Sequence, residues 1–245
     1  MNTHKKTARA AGVIYLVVVI TGMFSLAYVP QKLIDWNNGA VTFNNMITHP
    51  SLFRIGIYSS IICYVAFAFL PLFLYKLLRT VNESHARAMV ILALLSVPLS
   101  FSNLQHKYAA ITLTGNKSVL PAISTEELQS QVMFSLHQYN DGILLATVFW
   151  GLWLFPLGLL VYRSGFMPKF LGVLLMLGCI GYLVNFSGNT LSENYAQTGI
   201  GTYIRKLPAV AEISTCFWLL FFGLTNKDKW KVNNGVTKIS KSMSG

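Results

Sequence analysis

The sequence predicts an all-α polytopic membrane protein, a bundle of six transmembrane helices with two partly structured extracytoplasmic loops. Three observations predict it. The 245 residues are 53% hydrophobic and only 11% charged, whereas a soluble domain carries about 25% charged residues. The apolar residues fall in runs near the ~20 that cross about 30 Å of hydrocarbon. The basic residues stand in short clusters between those runs, the pattern that orients spans in a bilayer.

The first span covers 10–28. It follows Lys5, Lys6 and Arg9, and Pro30 ends it. Ser25-Leu26-Ala27 has the small residues of a signal-peptide cleavage site, but Tyr28-Val29-Pro30 follows at once. The helix is therefore expected to be retained. The first outer loop runs over 31–52 and leads into span two, 53–78. Span three covers 88–113 and is interrupted by polar residues over 100–107.

The second outer loop, 114–131, contains a helix start. Ser124 can cap, and Glu127 three residues on can reach back to complete a capping box. Leu128, Val132, Leu136 and Ile143 then recur at helical spacing. The helix of span four, 143–162, is thus expected to begin near Thr125 and either to project outward or to bend at Gly142. Spans five and six cover 170–187 and 208–224. Gly151, Gly158, Gly172, Gly178, Gly181 and Gly188 predict close helix contacts. Residues 1–225 form one transmembrane domain, and 226–245 a basic tail expected to be disordered.

The net charge of +11 follows the loops. Thirteen of the nineteen bases fall on one side of this topology, among them Lys5, Lys76, Arg79, Arg87, Arg163, Lys169 and the tail. Lys32, Arg54, Lys107, Lys117, Arg205 and Lys206 fall on the other. Both termini are therefore expected in the cytoplasm of a bacterial inner-membrane protein. Bases scattered between apolar runs argue against a nucleic-acid partner, which needs them on one polar face. Cys63, Cys179 and Cys216 each sit in an apolar run without a partner at metal spacing, and read as packing residues.

Ionisable groups inside a bilayer are costly and call for a reason. Arg54, Asn103, His106, Lys107, His137, Asp141 and Glu212 all belong to the outer half of the predicted spans. Glu212, set among Ala211, Ile213 and Cys216, needs a partner, and Arg54 is the expected cation. His137 and Asp141, four apart, share a helix face on which a carboxylate can orient an imidazole. His106, His137 and Asp141 are also candidate zinc ligands, although no pair of histidines has helical ligand spacing. There is no glycine-rich phosphate loop, Gly-x-Ser-x-Gly elbow or haem-attachment motif. No cofactor is expected.

Three stretches carry a family likeness. They are Ala11-Gly12-Val13-Ile14-Tyr15-Leu16 with Tyr28-Val29-Pro30, His49-Pro50-Ser51-Leu52-Phe53-Arg54-Ile55-Gly56, and Trp150-Gly151-Leu152-Trp153-Leu154-Phe155-Pro156-Leu157-Gly158 with Tyr162-Arg163-Ser164-Gly165-Phe166. Up to about Gly223 the chain resembles the bacterial membrane-protein family designated domain of unknown function 4386. The resemblance implies a multi-span membrane protein and brings no catalytic residues.

The expected function is binding or transport of a small or lipid-like molecule in a polar pocket in the outer leaflet, lined by Arg54, Glu212, His137, Asp141 and Asn103. A metal-assisted intramembrane hydrolase and a structural or assembly protein without a ligand are the alternatives. The topology has a direct check. In intact spheroplasts, an Asn38→Cys variant is expected to react with a membrane-impermeant maleimide. Labelling only after the membrane is opened would place the first loop inside.

Overall fold

The computed structural model describes residues 2–115, 123–192, 194–195 and 199–223. The basic tail and part of the second outer loop, 116–122, lie outside the described residues. All the regular elements described are helical. Among the described residues, five helical stretches are long and apolar enough to cross a membrane: His4–Leu33, Pro50–Leu78, Glu83–Gly115, Thr125–Ser164 and Lys169–Leu191. The helix expected as a sixth span, Leu207–Phe221, has 15 residues. That is about 22 Å at 1.5 Å per residue, short of the hydrocarbon thickness.

The helices in chain order are α1 (Asn2–Met23), α2 (Val29–Leu33), α3 (Gly39–Thr48), α4 (Pro50–Leu78), α5 (Glu83–Gly115), α6 (Thr125–Leu152), α7 (Leu154–Ser164), α8 (Lys169–Leu191), α9 (Gly199–Ile204) and α10 (Leu207–Phe221). They contribute to two compact units. The first comprises Met1–Leu16, Phe69–Leu94 and Val148–Gly245, and the second Val17–Ala68 and Leu95–Thr147.

In the first unit, small residues decide the packing. A Cβ on Gly158 of α7 would lie 2.6 Å from the Gly172 carbonyl of α8. One on Gly172 would lie 2.7 Å from the Tyr162 nitrogen. Two helices meet here backbone to backbone, which maximises dispersion where lipid offers no hydrophobic drive. The turn between them needs Gly165, whose φ of 70° is left-handed. Gly12 on α1 approaches α10 just as closely, since its Cβ would be 2.7 Å from the Leu220 nitrogen. The break between α6 and α7 falls at Trp153, where Pro156 removes the donor for the Leu152 carbonyl.

The second unit has an apolar core of Val29, Leu33, Phe43, Met46, Phe53, Ile57, Val132 and Leu136. α1 passes into α2 through a five-residue π-turn, Phe24–Tyr28, closed by the Val29 N–H donating to the Phe24 carbonyl. Pro30, which has no N–H, follows directly. Side chains of α4 meet carbonyls of the turn before it: Ser59 Oγ donates to Thr21 O at 2.9 Å. The first outer loop folds α3, capped by Asn38, whose side chain accepts from the Val41 N–H at 3.1 Å. α6 starts at Thr125 with Ser124 Oγ accepting from the Glu127 N–H at 3.2 Å, the serine half of the expected box. Gly142 admits α5 closely: a Cβ there would fall on the Asn103 side chain.

Backbone contact at Gly158 sets a measurable penalty. Gly158→Val is expected to cost about 1–3 kcal/mol by overpacking, read as a lowered melting temperature in detergent. An unchanged melting temperature would refute the close approach.

Candidate functional site

The residues singled out from sequence fall in different surroundings. Glu212 belongs to the first unit, and Arg54, Asn103, His106, His137 and Asp141 to the second.

In the first unit, the carboxylate that the sequence pairs with Arg54 is met by two phenols. Tyr15 of α1 donates to Glu212 Oε1 at 3.3 Å. Tyr182 of α8 donates to Oε2 at 3.2 Å. Aromatic rings surround these donors: Trp153 stands 6.5 Å from Tyr15 and Trp150 6.4 Å from Tyr182. Each carboxylate oxygen has a donor, so this polar group is satisfied inside an apolar setting. It ties α1, α8 and α10 together. The two tyrosines look in sequence like ordinary span aromatics, and only the carboxylate marks the place.

In the second unit, a buried polar stripe runs down one face of α5. Ser100, Asn103 and Lys107 are spaced i, i+3, i+7 and are 1%, 6% and 4% exposed. Asn103 Nδ2 donates to the Tyr139 carbonyl of α6 at 2.8 Å. Lys107 Nζ stands over the Tyr139 ring, 4.2 Å from its centroid, a cation–π contact. The Tyr139 and Tyr64 hydroxyls share a hydrogen bond of 3.4 Å. The acids of this unit, Asp35, Glu126, Glu127 and Asp141, are all exposed, and among the described residues none forms an ion pair with Lys107. Ser100 Oγ is buried without a hydrogen-bond partner.

The remaining candidates lie at the surface of the second unit. His137 and Asp141 are exposed, and among the described residues no hydrogen bond joins them. The His137 ring packs 5.1 Å from Trp36 instead. His106 is half-buried. Among the described residues no three of His, Cys, Asp and Glu gather to hold a metal ion. Arg54 lines a cleft of about 230 Å³ whose walls include Met46, Ile47, Phe53, Ile111 and Thr114. Asn103 and Arg54 were legible as costly polar residues. Lys107 was visible as a possible cation, while the role of Tyr139 was not, because a tyrosine in a span is unremarkable until a lysine is seen above it.

A chain whose described regular elements are all helical, five of them apolar and of spanning length, is a multi-pass integral membrane protein. The family described as Domain of unknown function (DUF4386) matches residues 10–223, and the chain belongs to it. The chain is also similar to an uncharacterized protein of Archaeoglobus fulgidus, 36% identical over 83 residues. That match spans 32% of this chain and 44% of the relative. No solved structure matches it.

The tyrosine clamp makes an asymmetric prediction. Tyr15→Phe with Tyr182→Phe strips both donors from a carboxylate and is expected to lower stability by about 2–4 kcal/mol. Adding Glu212→Met is expected to restore most of it, because the unsatisfied group is gone. Thermal unfolding in detergent reads both. A triple variant as unstable as the double would contradict the clamp.

Proposed function

We propose that this protein holds the acidic head of a single-chain amphiphile in the Arg54 cleft, in the outer leaflet. The carrying observation is an exposed cationic side chain lining a cleft of mixed polarity, with Met46, Ile47, Phe53 and Ile111 among its walls, near the start of a spanning helix. About 230 Å³ is below the ~300–1,000 Å³ of pockets that enclose a whole drug-sized molecule. It suits a head group whose chain remains in lipid. Ile55 and Tyr58 beside Arg54 are 55% and 69% exposed, as expected of side chains that face acyl chains. A guanidinium presents paired donors that match a carboxylate or phosphate. With α10 as a sixth crossing, the bases cluster on the opposite side, which supports the outer-leaflet assignment and cytoplasmic termini in an inner membrane.

The test uses the purified full chain in a non-ionic detergent. Dodecyl phosphate is expected to raise the melting temperature saturably, and dodecanol is not. Arg54→Gln is expected to weaken dodecyl phosphate binding about tenfold or more, the value of a charge-assisted hydrogen bond. Equal stabilisation of wild type and Arg54→Gln would overturn the reading.

A further inference from the structure

The stripe on α5 has more donors than acceptors. Lys107 carries three N–H groups and spends its charge on the face of the Tyr139 ring. Asn103 uses one of its two amide protons on the Tyr139 carbonyl. Its oxygen is turned toward Gly142. Elsewhere in this unit, buried serines donate to carbonyls: Ser60 Oγ to Gly56 O at 3.1 Å and Ser135 Oγ to Gln131 O at 2.9 Å on their own helices, and Ser59 Oγ to Thr21 O at 2.9 Å on another. Ser100 is equally buried and does not. Buried donors are normally paired, so a surplus on one face points to an acceptor that is not part of the chain.

We propose that Lys107, Asn103 and Ser100 form a binding site for a small monovalent inorganic anion, chloride being the simplest. Water accepts hydrogen bonds but leaves the ammonium charge in a span uncompensated. An anion accepts from the ammonium and cancels its charge, with the Ser100 hydroxyl and the second Asn103 amide proton as the further donors of the site. One ammonium calls for one negative charge. Ile111, one turn from Lys107 on the same helix, belongs to the wall of the Arg54 cleft. The site is argued from α5 and α6 alone and does not depend on an amphiphile at Arg54.

The test is the chloride NMR line width over the full-length protein in detergent, with sodium chloride as probe and sodium bromide as competitor. Wild type is expected to broaden the line saturably and bromide to reverse it. Lys107→Met, which replaces an unpaired buried charge by a hydrophobe of similar length, is expected to fold and to abolish the effect. Ser100→Ala is expected to weaken chloride binding about tenfold or more, the equivalent of one hydrogen bond to a charged group. Arg54→Gln is expected to keep the saturable broadening, just as Lys107→Met is expected to keep dodecyl phosphate binding. Broadening that survives both Lys107→Met and Ser100→Ala, broadening lost only in Arg54→Gln, or none at all in wild type would each overturn the proposal.

Discussion

A polar group placed in hydrocarbon is costly until it finds a partner, and the rest of this structure follows from that constraint. Helices answer it for the backbone, and the described regular elements are helices throughout. Side-chain hydroxyls answer it locally, as Thr215 does by donating to the Ala211 carbonyl at 2.8 Å. With hydrogen bonds settled within each helix, association is left to packing. Glycines at 12, 158 and 172 let backbones approach to contact distance. Any Cβ at those points would hold the helices apart and forfeit dispersion along the seam.

The same constraint separates the two polar clusters. Glu212 has a donor on each oxygen, from two different helices. Such a group joins helices and asks for nothing more. Lys107 has an aromatic face and no carboxylate among the described residues. A cation in that state is stabilised only partly, since a cation–π contact is worth roughly 0.5–2 kcal/mol. Desolvating an ion costs several kcal/mol even after relaxation. The proposed anion at Lys107 would relieve that imbalance.

Depth in the chain is a weaker guide than the partner found. Arg54, Glu212, His137, Asp141 and Asn103 look alike in sequence, as polar residues near span ends. In the structure Glu212 is clamped by phenols, and His137 is exposed against Trp36. Asn103 is locked to α6, and Arg54 faces a cleft. Sharing a level of the bilayer says that each residue is costly. It does not say which one meets which, because that depends on how each helix is rotated about its axis.

Composition and spacing determined the class by themselves. Too few charges for a wetted surface, apolar runs of spanning length and a cap such as Ser124 act within a few residues, and local physics reads them correctly. Helix rotation and close approach were decided only by the tertiary structure. It placed Tyr139 of α6 beneath Lys107 of α5, put Asn103 against Gly142, and brought Tyr15 and Tyr182 to one carboxylate across separations of 197 and 30 residues. Those pairings depend on which faces pack together. A helix that is apolar nearly all round carries no strong periodic signal of which face that will be.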